Sequence, residues 1–480
     1  MRESSSRNDV LLISRCVDKN FGMWYDIGMG KNVKEMNERE VAVLVLGEVL
    51  GQGAYSNVAL RRVLGEQGHF SRVQRAFVTE VVSGTLRNLL LIDHIIGGFS
   101  KMPIAKMKPV ITNVLRISVY QLKFMDKVPP SAVCNEAVKM VKQQGFGGLS
   151  GFVNGVLRNI LRNGTDVAIA GIEEDATAHL SLKFSTQPWI VRHFLDEIGI
   201  DATRELLENI MQPPEITICV NSAKTTTQEL AGILSSEGVG VSPALLPNML
   251  RITKISDLAG LQSFKNGLYH VMDTAAALAV HCVGIAEGVS IIDLCAAPGG
   301  KTFLAAYLAG KEAKILARDV HKHKIGLLKD GAKRLGLKNI EIALGDAKVF
   351  ESTLEETADL LILDMPCSGL GTLRRKADIK LVKQQESLEA LAEISREILT
   401  ASWKYVKKGG KMLFCTCTIG RAENIDNLNW ILKNLPFKTV DFYEKLPQKL
   451  NGETARNGYL QLLPQDLNAD GFFIAVLERI

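Results

Sequence analysis

The sequence predicts a multidomain protein in which an all-helical N-terminal domain is followed by a small α/β subdomain and a doubly wound α/β domain. A chain of 480 residues exceeds one ordinary hydrophobic core. Apolar residues recur at helical spacing in the first third of the chain. From about residue 268 onward, apolar strands alternate with helices, which is typical of a parallel sheet covered on both faces.

We divide the chain into four segments. Residues 1–37 are an extension of unknown role, 38–165 the helical domain, 166–267 a linker with the small α/β subdomain, and 268–480 the larger α/β domain. The chain is 46% hydrophobic and 23% charged, which fits a globular protein with sizeable cores. No run of 18 apolar residues occurs, so we expect no membrane partner and a cytoplasmic location.

The eight cysteines include no CxxC pair and no zinc-like His/Cys spacing. Neither a disulfide framework nor a bound metal is therefore expected. Free thiols in a reducing compartment remain, and some of them are candidates for catalysis.

The positive charge is concentrated in the helical domain. Residues 36–165 hold 16 Lys and Arg against 8 Asp and Glu, a net charge of +8, while residues 1–35 carry +1 and the rest of the chain −4. A localised excess of this kind is typical of a nucleic-acid-binding module. A solvated helical surface that happens to be basic stays open as the alternative on charge alone.

Helical spacing is clearest in four stretches of this domain, residues 39–50, 77–96, 108–125 and 152–162. The segments GAYSNVAL, VLRISVYQLKFM, VPPSAVCNEAVKMVK and FVNGVLRNILR resemble the NusB-type RNA-binding helical domain over about 130 residues. The resemblance implies RNA as the partner, whereas the periodicity by itself indicates only helices.

The next segment changes character. The stretch NGTDVAIAGIEEDATAHLS predicts a linker, although an ordered helical connection stays possible there. PWIVRHFLDEIG and ATRELLENIMQPP then predict short helices, EITICVN a strand, and TTTQELAGILSSEG a helix with a Thr cap. In the larger domain we expect the strands VSIIDL, KILARD, IEIALGD, LLILD and KMLFCTC, with helices at 302–310, 321–335, 381–406 and 422–433.

The turn DLCAAPGGKT, residues 293–302, joins the first of these strands to the first helix. A P-loop ATPase needs GxxxxGK[ST], but Cys295 stands where its first glycine belongs. The dinucleotide fingerprint GxGxxG is absent, which argues against NAD. A glycine turn that admits a smaller nucleoside remains, and S-adenosylmethionine is the cofactor we predict.

Three successive strands of this domain are expected to end in an acidic residue. Asp319 lies 20 residues after Gly299, which is typical of a carboxylate that binds ribose hydroxyls. Asp346 follows at the next strand end, where an adenine amino group can be bound, and Asp364 at the one after it. Each of them alone can be a simple helix cap, but three in succession favour a binding site.

Two cysteines are expected just past neighbouring strands, Cys367 in DMPCSGLGTLRRKADIK and Cys417 in FCTCTIGRAEN. A lone cysteine is usually a buried, inert thiol. Two at the cofactor edge fit methylation of cytosine carbon-5, because that carbon becomes nucleophilic only after a thiolate adds to C6. A second group can then assist proton removal or release.

The turn DLCAAPGGKT, the motif DMPCSGLG, the TCT triplet followed by Glu423-Asn424, and the ending DGFFIAVLE resemble the Sun/Fmu family of RNA 5-methylcytosine methyltransferases. The resemblance implies a Rossmann-like methyltransferase domain with Cys417 as nucleophile and Cys367 as the cysteine for release. Together with the NusB-like domain, the whole order resembles family members that act on small-subunit (16S) ribosomal RNA.

The resemblance also implies the remaining site residues. Those expected to line the cofactor and the base are Cys295, Ala296, Ala297, Pro298, Gly299, Gly300, Lys301, Asp319, Asp346 and Asp364. Arg374, Arg375 and Lys376 are expected to contact RNA phosphates, and Cys415 to be structural. The family's QDxSS-like segment is replaced by VMDTAAA, so no role is assigned to Asp273. We expect a monomer; a transfer RNA methyltransferase and a catalytically idle RNA-binding adaptor stay open as alternatives.

Overall fold

The computed structural model describes residues 36–254, 258–448, 450 and 452–480. Of the N-terminal extension, all but residues 36 and 37 lie outside the described residues. The chain forms two compact units. Of the described residues, the first unit contains those up to Met211 together with Lys376–Val382, and the second contains those of Gln212–Arg375 and Lys383–Ile480.

The first unit is helical throughout its described residues. Its helices are α1 (Glu38–Gln52), α2 (Ser56–Glu66), α3 (Arg72–Arg87), α4 (Leu89–Phe99), α5 (Pro109–Phe124), α6 (Pro130–Gln143), α7 (Ser150–Asn163), α8 (Ala176–Lys183), α9 (Pro188–Met211, kinked at Gly199) and the short Ile379–Val382 helix. This confirms the all-helical N-terminal domain.

Helix α1 lies in the core of this unit because it is apolar on nearly every side, and Val41 and Leu46 are fully buried. Its start is fixed by a capping box in which Asn37 accepts the Glu40 N–H and the Glu40 carboxylate accepts the Asn37 N–H. The stretch 77–96 is two helices rather than one, since α3 ends and α4 begins at Asn88.

The second unit contains two sheets. The smaller has the strands β1 (Ile216–Val220), β2 (Gly240–Pro243), β3 (Met249–Lys254) and β4 (Tyr269–Val271) in the antiparallel order β2-β3-β1-β4. Helices α10 (Thr227–Ser236) and α11 (Gln262–Lys265) accompany it. Thr226 caps α10 as the sequence predicted, through a capping box with Glu229.

The larger sheet has eight strands: β5 (Ser290–Asp293), β6 (Lys314–Asp319), β7 (Ile340–Leu344), β8 (Ala358–Asp364), β9 (Val406–Thr416), β10 (Phe437–Thr439), β11 (Tyr459–Leu462) and β12 (Phe472–Arg479). Its helices are α12 (Thr274–Val283), α13 (Gly300–Ala309), α14 (Lys322–Leu335), α15 (Ser387–Ser402), α16 (Ile425–Asn434) and α17 (Pro464–Leu467). The order is β10-β12-β9-β8-β5-β6-β7, with β11 paired to β12.

The five predicted strands, β5 to β9, are parallel, which confirms the Rossmann-like half of the fold. The sheet is nevertheless mixed, because β12 runs antiparallel to β9 and β10. Since β6 and β8 lie on opposite sides of β5, the strand order reverses direction at β5. Open α/β sheets bind their ligands at such a reversal, beyond the carboxyl ends of the strands. Within the described ranges, no helix has the length and apolar character to cross a bilayer.

Candidate active site

The predicted cofactor stretch, residues 295–301, runs from the end of β5 into the start of α13. Gly299 has a φ of 114°, in the left-handed region that favours glycine. A Cβ at this position would lie 2.3 Å from the Phe303 ring, so a larger residue cannot be accommodated without a shift. Gly300 begins α13, and the unpaired N–H groups of a first helical turn therefore lie at this edge of the sheet.

Asp319 is the last residue of β6 and lies beside this turn. Its carboxylate accepts the backbone N–H of Ala297 at 3.3 Å and that of His321 at 2.9 Å. The residue is only 5% exposed, so its position is fixed by these bonds and by packing. A carboxylate has about four acceptor positions, which leaves capacity for the hydroxyl groups of a bound ribose.

Asp346 lies outside strand β7, whereas the sequence predicted it at the end of that strand. Strand β7 ends at Leu344, two residues earlier than the expected strand end, and Asp346 is an exposed loop residue. Its carboxylate accepts the backbone N–H of Lys348 at 3.0 Å, which is a local turn contact. The geometry therefore gives Asp346 a weaker case as a cofactor ligand than Asp319.

Lys301 and Asp364 form an ion pair of 2.7 Å between Nζ and Oδ2. Burial of Lys301 opposes its charge, but the charge and hydrogen bond of Asp364, together with the Cys415 and Cys417 sulfurs, outweigh burial and raise the pKa of the lysine. The ammonium also lies 4.9 Å from the centre of the Phe472 ring. The Lys301 ammonium and the Asp364 carboxylate are thus held together at the end of β8.

Asp293 and Cys295 border this pair. Asp293 is fully buried and accepts the Thr302 hydroxyl at 2.7 Å, and burial raises its pKa to about 7. Burial, followed by the negative charges of Asp293 and Asp364, raises the pKa of the Cys295 thiol. Cys295 is therefore a protonated thiol, and its chemistry differs from that of an attacking thiolate.

The thiols of Cys367 and Cys417 lie side by side, with 3.3 Å between the two sulfur atoms. Cys417 follows the last residue of β9, and Cys367 follows β8 in the loop after Asp364. Strands β8 and β9 are parallel neighbours in which Asp364 pairs with Cys415, so their carboxyl ends meet at one edge. The sheet thus brings together the two cysteines that the sequence singled out.

The surroundings of the Cys367 thiol disfavour its thiolate form. The hydrogen bond with Cys417, then burial, then the charges of Cys417, Glu423 and Asp364, raise the pKa of Cys367 well above its usual value. Cys415, on the same strand as Cys417, is buried, and burial raises the pKa of its thiol as well. The expected assignment of Cys415 as structural stays a prediction that fits this burial.

Glu423, which the sequence indicated only as part of the pair that follows the TCT triplet, contacts the loop that carries Cys367. It is buried, and its carboxylate accepts the backbone N–H of Ser368 at 2.6 Å and the Ser368 hydroxyl at 2.7 Å. Ser368 directly follows Cys367. The pattern that could have indicated this contact was the Glu-Asn pair a few residues after the TCT triplet, but its partner is 55 positions away.

The expected RNA contact of Arg374 is wrong for this structure. Arg374 is 5% exposed, and its guanidinium donates to the carbonyl groups of Gln212 and Pro213 and to the side chain of Asn468. The guanidinium already donates its hydrogen bonds to buried carbonyl groups, so it is not available to bind a phosphate.

Arg375 is held between two carboxylates. Its Nη2 lies 2.6 Å from Asp273, and its Nε lies 2.9 Å from Asp470. Asp273 also caps α12, because it accepts the N–H of Ala275. Asp273 therefore has a structural role here, and of the basic triplet Lys376 alone is exposed.

Two families match the sequence. The family described as 16S rRNA methyltransferase RsmB/F matches residues 281–478, and the NusB family matches residues 36–162. A protein of Bacillus subtilis (strain 168) described as a probable ribosomal RNA small subunit methyltransferase B is 34% identical over 451 residues, 93% of this chain and 100% of that protein. The ribosomal RNA small subunit methyltransferase B of Proteus mirabilis (strain HI4320) is 29% identical over 450 residues, 92% and 99% of the two chains.

Two solved structures resemble the fold. A protein described as PH0851 superposes with a TM-score of 0.78 at 24% identity, covering 93% of this chain and 99% of the other. NSun6 from Pyrococcus horikoshii with SFG superposes with a TM-score of 0.53 at 20% identity, covering 60% and 97%. At these identities the likeness concerns the fold alone.

Proposed function

The chain belongs to the ribosomal RNA small subunit methyltransferase B family, and from this membership we propose that it methylates carbon-5 of a cytosine in 16S ribosomal RNA through a covalent cysteine adduct. It is an S-adenosylmethionine-dependent RNA methyltransferase. The observation that supports the covalent route is the pair of sulfur atoms 3.3 Å apart beside the Lys301–Asp364 ion pair.

The residues at the turn fit S-adenosylmethionine. The Asp319 carboxylate is fixed next to the turn with acceptor capacity for two ribose hydroxyls, and the unpaired N–H groups of the first turn of α13 lie at the same edge of the sheet. Residues 295–301 and Asp319 would hold the cofactor, with Asp346 and Asp364 nearby. When bound, S-adenosylmethionine supplies an electrophilic methyl group.

In the proposed mechanism the Cys417 thiolate forms a bond to C6 of the cytosine, and the electron pair of the C5–C6 double bond makes C5 nucleophilic. After C5 has accepted the methyl group, its proton passes to a base from solvent, the C–H electron pair re-forms the C5–C6 double bond, and the C6–sulfur bond breaks with its electrons returning to the Cys417 sulfur. Cys367, with its raised pKa, is a thiol at neutral pH and is positioned to assist this release. Asp364 and Lys301, which form an ion pair with each other, would bind the polar edge of the base.

We propose residues 38–165 as the RNA-binding part and residues 268–480 as the catalytic part, with residues 166–267 connecting them. The match of the NusB family to residues 36–162 and the charge of +8 on residues 36–165 support the first assignment. The cysteine pair and the glycine turn support the second.

The test is bisulfite sequencing of ribosomal and transfer RNA from a strain that lacks the gene. We expect one cytosine of the 16S ribosomal RNA to lose its protection, and to regain it when the wild-type gene is returned but not with Cys417→Ala. Loss of protection in a transfer RNA instead would show that the substrate is that transfer RNA. Unchanged protection in both RNAs, together with no binding of labelled S-adenosylmethionine, would favour the idle RNA-binding adaptor.

A further inference from the structure

The Glu423 carboxylate connects the two loops that carry the cysteines. On one side it accepts both the backbone N–H and the hydroxyl group of Ser368, the residue after Cys367. On the other side, the Ser368 hydroxyl lies 2.7 Å from the hydroxyl of Thr418, the residue after Cys417. The Thr418 hydroxyl also interacts with the Glu423 carboxylate, so it lies beside both groups. A single buried acid thus ties together the residues that follow the two thiols.

Asn424 fixes Cys417 from the opposite direction. Its side-chain oxygen accepts the Thr416 hydroxyl at 2.5 Å, and its side-chain NH₂ donates to the Thr418 carbonyl at 3.1 Å and to Gln461 at 2.8 Å. Residues 416 and 418 flank Cys417, so its backbone is held on both sides. Asn424 is 1% exposed, and water does not compete for these bonds.

We propose that Glu423 is a positioning residue: it sets the spacing of the Cys367 and Cys417 thiols through the residues that follow them, and it places a negative charge beside Cys367 that favours different roles for the two thiols. This inference rests on the proposed function of the two cysteines. It goes beyond that function because it explains how two thiols in contact take different roles.

The charges around the pair agree with this division. After the hydrogen bond with Cys417 and burial, the charges of Cys417, Glu423 and Asp364 raise the pKa of Cys367. On the other side, the ammonium of Lys301 interacts with the Cys417 sulfur, which favours a thiolate there. Burial raises the pKa of Glu423 itself, but its bonds to Ser368 and Thr418 oppose that shift, and Lys383 acts in the same direction as these bonds.

The first test measures the thiols alone. Cys367 and Cys417 are alkylated with iodoacetamide across a pH series in the free protein, and each site is quantified by mass spectrometry. Glu423→Gln removes the charge but can keep the Ser368 contact, and we expect its Cys367 to react severalfold faster at pH 8, because the carboxylate no longer opposes formation of the thiolate. The matched control is Glu453→Gln, an exposed acid of the same unit, which we expect to leave the profile unchanged. An unchanged Cys367 profile in Glu423→Gln would overturn the charge role.

The second test separates positioning from charge. In Glu423→Ala we expect kcat for RNA methylation to fall about 100-fold with KM nearly unchanged, because an error of about 1 Å in placement costs that much. In Glu423→Gln we expect most of kcat to remain. Circular dichroism and S-adenosylmethionine affinity check the fold; if Glu423→Ala does not fold, Ser368→Ala takes its place with the same expected loss. Wild-type kcat in the folded variant would overturn the positioning role.

The two tests also distinguish this inference from the proposed function. Alkylation requires neither RNA nor cofactor, so a wild-type protein that fails to methylate RNA would overturn the proposed function and leave the alkylation comparison valid. Conversely, methylation by the wild type together with unchanged alkylation and kcat in both Glu423 variants would overturn this inference alone.

Discussion

At the residue scale, we expect removal of each of the two neighbouring thiols to stop the reaction at a different step. Cys417→Ala should abolish methylation and leave no covalent RNA complex, because the bond to C6 cannot form. Cys367→Ala should still attack the base but release it slowly, so that a protein–RNA adduct accumulates. Denaturing gels of each variant with 16S ribosomal RNA and S-adenosylmethionine measure this directly.

Cys134→Ala, a variant of a buried cysteine in the helical unit, is the control and should behave like the wild type. A slow-migrating band from Cys417→Ala rather than Cys367→Ala would show that Cys367 is the nucleophile and Cys417 the residue for release. Since the sulfur atoms are 3.3 Å apart, either thiol is close enough to the other's position for such an exchange to be a real alternative.

Asp319 gives a prediction for cofactor binding. Asp319→Ala removes the carboxylate beside the glycine turn and should weaken S-adenosylmethionine binding by about 1.5–3 kcal/mol, the usual range for charged hydrogen bonds. RNA affinity should barely change. Calorimetry with Asp330→Ala as the control, an exposed acid on α14, tests this. A folded Asp319 variant with wild-type cofactor affinity would show that the strand-end assignment is wrong.

At the scale of secondary-structure elements, the strands β5 to β9 and the glycine turn could be predicted because their signal is local. Apolar runs, glycines and the acidic residues at strand ends are all visible within a few positions. The direction of β12 could not be predicted, since the run FFIAVL is equally apolar in either direction. The contacts of Arg374 depend on Gln212 and Asn468, which are remote in sequence, so charge alone wrongly indicated an exposed cation.

The short Ile379–Val382 helix carries a lysine that is buried in the helical unit. Lys380 is 0% exposed, and its ammonium donates to the backbone carbonyls of Arg87 at 2.7 Å and Phe184 at 3.2 Å. Burial, with a smaller contribution from the charge of Arg87, lowers the pKa of Lys380 to about 7. The unfolded chain keeps the ordinary value of about 10.4.

Between these two values the unfolded state binds more protons than the native state, so the free energy of unfolding should rise with pH by up to about 1.36 kcal/mol per pH unit. Lys380→Met should remove this rise, whereas Lys139→Met, an exposed lysine of the same unit, should keep it. Urea unfolding from pH 7 to pH 10 measures the difference between each variant and the wild type, which cancels other titrating groups. Parallel pH profiles for wild type and Lys380→Met would contradict the lowered pKa.

At the scale of the whole molecule, the positive charge is concentrated in residues 36–165, and this asymmetry has a consequence for RNA binding. Residues 36–165 carry +8, whereas the remainder of the chain carries −3 in total. RNA affinity that comes from phosphate neutralisation falls with salt, because each neutralised phosphate releases a condensed cation. Residues 36–165 should therefore supply most of the salt dependence, although the proposed catalytic residues lie in the other unit.

Replacing Arg61, Arg158 and Arg162 by Gln in the full chain should weaken RNA binding and reduce the slope of log affinity against log salt by up to about 0.7–0.9 for each phosphate that is no longer neutralised. The same number of exposed lysines on α14, Lys322, Lys329 and Lys333, serves as the matched control, and their replacement by Gln should change the slope less. Filter binding to a 16S ribosomal RNA fragment at several salt concentrations gives both slopes. The binding of S-adenosylmethionine is the second readout. Its affinity should stay constant in the arginine variant, because none of the three arginines is near the glycine turn in sequence or belongs to the same unit. Equal slopes in the arginine variant and the wild type would assign the phosphate contacts to another part of the chain.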